Sequence, residues 1–189
     1  MKFISKDTIQ LDRELSDLDK FVIDFVKIIS KHTKYVLVSG YVSILLGRAR
    51  MSEDVDIIVP KMDETAVRKL LEDLNKNDFY CLNTEKEIYS YLIDKLGVRF
   101  AKKGVVIPNM EFKFAKSKID EIALSKPIKV KLKNEELILS NLELQIAFKE
   151  QILKSPKDME DALHLRKIAE KYLDESLLKK YEVMLNEFY

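Results

Sequence analysis

The chain has 189 residues, 47% of them apolar, and a formal net charge of only +1 although 34% of its residues are charged. That length suits one compact domain, or one domain with a small appendage, and near-neutral charge argues against a broad nucleic-acid footprint. One cysteine, Cys81, and two histidines exclude a disulfide framework and argue against a zinc site, which points to a reducing cytoplasm; no signal-peptide pattern is expected at the N-terminus, and no apolar run approaches the ~18 residues that span a membrane.

In chain order, Leu11, Leu15, Leu18, Phe21, Val22, Phe25, Val26 and Ile29 recur at gaps of three and four, which predicts a helix over 11–29. Tyr35 to Val38 reads as a short strand, Gly40 to Gly47 as a short helix, and Val55 to Val59 as a strand stopped by Pro60. Asp63 is placed to cap a helix running to about Asn75. A strand is expected at 79–82, followed by a helix opened by the capping-box pattern Thr84-Glu-Lys-Glu87 and running to about Leu96. Val98–Ala101, Met110–Phe114, Ile128–Leu132 and Leu137–Leu139 read as strands. From the second capping-box pattern, Ser140-Asn-Leu-Glu143, only helices are expected: 141–154, 156–172 with Ser155 as cap and Pro156 at the first position, and 174–187. The fold class is therefore α+β: a mixed-sheet core over 1–134 and a helical part over 135–189.

The chemistry concentrates between residues 36 and 59. Side chains two apart on a strand share a face. With Val55, Ile57 and Val59 turned to the core, Asp54 and Asp56 emerge together on the other side. Ionised carboxylates rarely sit in strands unless something pairs with them. Two of them side by side suit Mg²⁺, which takes one or two carboxylates and fills its shell with water and phosphate oxygens. Upstream, Ser39-Gly40 stands between a strand and a helix, where unpaired backbone N–H groups favour an anion; Arg48 and Arg50 add cations before the strand. In Asn109-Met-Glu-Phe-Lys-Phe114, Met110, Phe112 and Phe114 share one face and Glu111 the reverse with Lys113. The same alternation that places the first acids makes Glu111 the expected third, as metal ligand or general base. Asp94 and Asp120 lie in or near helical segments and suit that role less.

The order strand, Ser-Gly, short helix, Gly-Arg, Asp-x-Asp resembles the DNA polymerase beta-like nucleotidyltransferase superfamily, whose commoner pair is Gly-Ser rather than Ser39-Gly40. Leu144-Gln-Ile-Ala-Phe-Lys149 with Ser155-Pro-Lys-Asp-Met-Glu-Asp161 is similar to the Lys … Lys-Asp-x-x-Asp region of minimal and toxin-type members, including those of type IV toxin–antitoxin systems. The resemblance implies a Mg²⁺-dependent enzyme, with two metal ions, that transfers NMP from an NTP such as ATP to a hydroxyl of tRNA, a protein or a small molecule and releases pyrophosphate. It implies Asp54, Asp56 and Glu111 as catalytic and metal residues, and Ser39, Gly40, Arg48, Arg50, Ser52, Lys149 and Asp158 as nucleotide or phosphate ligands. An antitoxin-like protein partner is part of the same implication. The alternative expectation is a module of this fold that binds nucleotide or a partner without turnover. Lys126, Lys129, Lys131 and Lys133 form a separate stripe that suits either a phosphate backbone or a solubilising edge strand.

Overall fold

The computed structural model describes residues 1–83 and 88–188. Among these described residues nine strands form one mixed sheet in the order β1-β2-β8-β9-β3-β4-β7-β6-β5. They are β1 (Lys2–Ser5), β2 (Thr8–Leu11), β3 (Val36–Val38), β4 (Asp54–Val59), β5 (Phe79–Cys81), β6 (Val98–Lys102), β7 (Asn109–Phe114), β8 (Pro127–Leu132) and β9 (Glu135–Ser140). The pairs β2–β8, β3–β9 and β4–β7 are parallel and the remainder antiparallel. The helices are α1 (Asp17–Ile29), α2 (Gly40–Leu45), α3 (Glu64–Lys76), α4 (Ile88–Ile93), α5 (Lys118–Ser125), α6 (Leu142–Phe148), α7 (Pro156–Ala169) and α8 (Glu175–Phe188), with a π-helical turn at Lys149–Leu153 after α6. The α+β class holds. Among the described residues no helix is long and apolar enough to cross a membrane.

Alternation dictates the central strands. Val55, Ile57 and Val59 of β4 and Met110, Phe112 and Phe114 of β7 are buried on one face. There they meet Phe25 of α1 through a run of ring contacts, Phe25 against Phe100, Phe100 against Phe112 and Phe112 against Phe114. Burial of this apolar surface is the main term holding the sheet to its helices. Caps set the helix starts: Asp63 accepts from the Ala66 amide at 2.8 Å, and Ser155 caps α7 with Pro156 behind it, both as expected.

Two expectations change. The first helix begins at Asp17 rather than Leu11, because Thr8–Leu11 pairs in parallel with β8 and buries Ile9 and Leu11, while Ser16 and Asp19 form a capping box that fixes the start. At the other cap, Ser140 ends β9 opposite Pro127, and Asn141 takes the capping role, accepting from the Leu144 amide at 2.9 Å. Glu135–Ser140 is a strand between β8 and β3, and it contains the expected strand Leu137–Leu139. The pattern Thr84-Glu-Lys-Glu87 lies outside the described residues.

Candidate functional site

The parallel pairing of β4 with β7 matches Asp54 to Asn109 and Asp56 to Glu111. The antiparallel pairing of β3 with β4 matches Val38 to Asp56. Paired residues share a face, so Asp54, Asp56 and Glu111 emerge together, away from the aromatic core. The chain then turns at Ser39 immediately after Val38, and α2 begins at Gly40. Ser39 has φ 63° and ψ −134°, a conformation that favours glycine; its amide donates to Gln145 Oε1 of α6 at 2.8 Å.

The three acids differ in their partners. Asp54 takes a long hydrogen bond from Ser52 Oγ at 3.4 Å, whose shorter bond, 2.9 Å, goes to the Asp54 carbonyl; among the described residues Asp54 forms no ion pair. Lys113 Nζ lies 2.8 Å from Asp56 Oδ1 and 2.9 Å from Glu111 Oε2. Burial raises the Asp56 pKa above the ordinary aspartate value; Lys113 opposes this and the neighbouring Glu111 adds to it. Burial pushes Glu111 the same way, but hydrogen bonds from Lys113 and Asp56 outweigh it and hold Glu111 below the ordinary glutamate value. Burial likewise works to lower the Lys113 pKa, and the two carboxylates more than offset it.

Carboxylate oxygens are of the chemistry that a divalent cation takes. Asp54 and the second oxygen of Asp56 offer hard oxygen ligands on one face, as Mg²⁺ requires. The three carboxylates are not drawn into a closed cluster, however: among the described residues no group of three or more acidic, histidine or cysteine side chains is gathered closely enough to hold a metal. Lys113, which the alternation of β7 put on the acid face, joins Asp56 to Glu111 instead.

The expected phosphate ligands form a second, buried network. Asp161 of α7 is fully buried. It accepts from Arg48 Nη1, from Arg50 Nη2 at 3.2 Å and from Lys149 Nζ at 2.9 Å. Lys149, only 1% exposed, also donates to Asp158 at 3.2 Å, and Asp158 accepts from Ser155. Arg48 continues to Glu160 and to the Lys157 carbonyl at 2.9 Å. A buried charge must be paired, and here three cations meet three acids, which ties α7 to the turn between α2 and β4. Burial works to raise the Asp161 pKa, but Lys149, Arg48 and Arg50 outweigh it and hold it low. The structure therefore gathers Arg48, Arg50, Lys149 and Asp158 around Asp161. Arg50 reaches back to the seat at Ser39-Gly40: its guanidinium lies so close over Gly40 that a Cβ there would collide with it.

A cavity of about 70 Å³ opens on the same sheet face, lined by Val38, Ile58, Ile119, Ala123, Leu144 and Phe148, with Ser39, Gln145, Lys149 and Asp120 at its polar parts. Asp120 closes a capping box with Ser117, consistent with its placement in a helix. Of the stripe lysines, Lys129 and Lys131 are exposed on β8. That strand is interior, between β2 and β9, so an edge-protecting role does not apply. Lys129 pairs with Glu136 and Lys133 with Glu14; Lys126 lies at the end of α5 rather than in the strand.

Sequence reasoning missed the partners more than the acids. Gln145 and Glu160 had no signal of their own. Lys113 had one, its position two residues from Glu111.

The arrangement is that of a nucleotidyltransferase-like fold. An antigenic nucleotidyltransferase-like protein from Paracoccidioides brasiliensis superposes with a TM-score of 0.50 at 17% identity, over 79% of this chain and 75% of that one. ANT(2″)-Ia, solved in complex with adenylyl-2″-tobramycin, superposes with a TM-score of 0.54 at 11% identity, over 88% of this chain and 97% of that one. No protein-family model matches the chain, and neither does any curated protein.

Proposed function

We propose that this protein is a Mg²⁺-dependent nucleotidyltransferase that moves NMP from an NTP to an acceptor hydroxyl and releases pyrophosphate. The observation that carries the reading is the register of β3, β4 and β7, which sets Asp54, Asp56 and Glu111 on one face beside the Ser39 turn. The likeness in fold to ANT(2″)-Ia supports it. Asp54 and Asp56 would hold the metal, which when bound supplies charge neutralisation to the triphosphate and its leaving group. Glu111 orients the acceptor hydroxyl and receives its proton. Ser39 and Arg50 lie against the phosphates, and Ser52 fixes Asp54 through its backbone and carboxyl. Arg48, Lys149 and Asp158 act one layer further out, holding Arg50 in place through Asp161. The cavity beside Ser39 receives an apolar part of the substrate.

The acceptor proposed first is a small hydroxylated molecule, because ANT(2″)-Ia held an adenylylated aminoglycoside. A tRNA or protein acceptor, and an antitoxin-like partner, rest on the resemblance at residues 144–161 alone. The test is incubation with each α-labelled NTP, Mg²⁺ and three acceptor pools: aminoglycosides, total RNA and total protein. Label transfer with pyrophosphate release, lost in Asp54→Asn and Asp56→Asn, is the expected result. Full transfer by either variant overturns the assignment. One observation favours a second reading: Lys113 occupies the space between two of the acids, as a binding module without turnover would tolerate. That reading predicts a thermal shift with Mg²⁺–NTP and no pyrophosphate.

A further inference from the structure

A second cavity, of about 650 Å³, opens where the turn between β1 and β2, the junction of α5 with β8 and the segment joining α7 to α8 come together. Volumes of this order hold small-molecule ligands. In sheet order β9 and β3 stand between β8 and β4, and none of the three strand acids lines this cavity. Tyr172 does line it. Its ring stacks on Phe3, with centroids 4.2 Å apart and an interplanar angle of 10°, yet it remains 45% exposed. A ring backed on one side in this way offers its other face to a planar ligand. Lys6, Lys126 and Lys129 line the same cavity. Lys6 reaches Asp174 only at 3.9 Å and Lys129 reaches Glu136 at 3.3 Å, both with exposed side chains; pairs of this kind are weak, and an anion replaces them readily. Two of the acids here are engaged more closely. Asp174 accepts from Ser176 Oγ at 2.6 Å and from the Leu177 amide at 3.1 Å, and Glu143 accepts from the Asp174 amide at 3.0 Å. Asp7, on the turn, is the third acid of the wall.

We propose that this cavity binds a nucleotide unit, free or within a single strand, with its base stacked on Tyr172 and its phosphate held by Lys126 and Lys129. An aromatic platform beside cationic side chains holds base and backbone together without reading sequence. The same chemistry continues along the sheet beyond the cavity. Strand register pairs Thr8 with Lys129 and sets Gln10 between Lys2 and Lys131. Paired residues share a face, and Ile9, Leu11 and Val130 are buried on the opposite one. Lys129 and Lys131 are both exposed and stand about 6.6 Å apart along β8, two residues of extended chain. A strand leaving the cavity therefore meets Lys131 and Lys2, with Thr8 and Gln10 as hydrogen-bonding side chains between them. A short, local contact of this kind agrees with a net charge of only +1, which a broad duplex footprint does not.

The test measures binding in chelator, with no turnover involved. The full chain is titrated into a fluorescein-labelled oligouridine over a range of KCl concentrations, fluorescence anisotropy is followed, and uridine 5′-monophosphate or unlabelled oligouridine is then added as competitor. Tyr172→Ala should weaken binding about tenfold, and Tyr172→Phe should keep it. The double variant Lys126→Glu/Lys129→Glu should weaken binding about tenfold or more and flatten the slope of log K against log salt by about 1.4, two phosphate contacts at about 0.7 each. Asp56→Asn should bind as wild type does, because it lies outside this cavity. Displacement by the monophosphate as effective as by the oligouridine identifies a free nucleotide as the ligand; displacement that grows with oligouridine length identifies a strand. Either result, with the losses named, upholds the site. Should Tyr172→Ala not fold, the double variant decides, since it alters exposed side chains only. Binding that survives both the Tyr172 and the lysine substitutions, or no binding by wild type, overturns the proposal and leaves the reading of the strand acids untouched.

Discussion

The Arg50 guanidinium lies directly over Gly40, so close that a Cβ at 40 would stand 3.0 Å from Cζ and closer still to Nη2. The same guanidinium reaches Asp161, 111 residues further along the chain, at 3.2 Å. Gly40 therefore does not serve a turn. It provides the room in which an arginine can bridge the end of β3 and the C-terminal helices.

Gly40→Ala should displace Arg50 from Asp161. Overpacking of this kind costs about 1–3 kcal/mol, measurable by urea denaturation. In an Arg50→Ala background the same substitution should cost less by about 1 kcal/mol, since the collision is gone. Equal costs in both backgrounds would show that Arg50 is not what excludes a side chain at 40.

Asp161→Asn should be among the most destabilising single changes in the chain, about 3–5 kcal/mol, because it leaves Arg48, Arg50 and Lys149 around a neutral group in a buried site. The pH dependence follows from the direction of the shift. Asp161 has a folded-state pKa below the ordinary value of 3.8. Its contribution is present above that value and is lost as pH falls through the folded pKa. The gap in stability between wild type and variant should stay constant from pH 5 to 8, by roughly the amount above, and narrow only in acid below about pH 4. A gap that narrows near neutrality would contradict the assignment.

Ser39→Gly should stabilise the fold by about 1 kcal/mol, since a serine held at positive φ stores strain that glycine does not. The rate of NMP transfer should fall at the same time if the Ser39 hydroxyl contacts phosphate. A variant both more stable and equally active would limit Ser39 to its backbone amide. Denaturation midpoints and pyrophosphate release, measured on the same preparation, separate the two.

Asp56→Asn should lower NMP transfer by about 1000-fold or more, equivalent to roughly 4 kcal/mol of transition-state stabilisation. Its melting temperature in chelator should not fall at neutral pH. The folded-state pKa of Asp56 is raised, so its charged form works against folding, and that cost grows as pH rises through the carboxylate range. A large loss of stability would mean that the pairing with Lys113 outweighs burial.

Much of the site was legible from alternation alone. A period of two in Asp54–Val59 and again in Asn109–Phe114 places the apolar residues on one side and the acids on the other without any knowledge of neighbours. Asp63 and Ser155 were legible as caps for the same reason, because a cap acts within three residues. The strands Lys2–Ser5 and Thr8–Leu11 were harder: each has four residues, and the apolar spacing from Leu11 onward continues the helical period into Ser16. Ser140 and Asn141 are both good capping residues, and only the pairing of β9 with β8 decides between them.

Local pattern, then, determined which residues are apolar, which acids share a strand face and where most helices begin, because those properties depend on neighbours two to four positions away. Tertiary structure alone decided that Asp56 stands opposite Glu111, that Lys113 joins them, and that Arg48, Arg50 and Lys149 converge on Asp161. Each of these depends on partners as much as about 110 residues apart in the chain. Which charge meets which is set by strand register and helix docking, and both are consequences of burying the apolar faces rather than of the charges themselves.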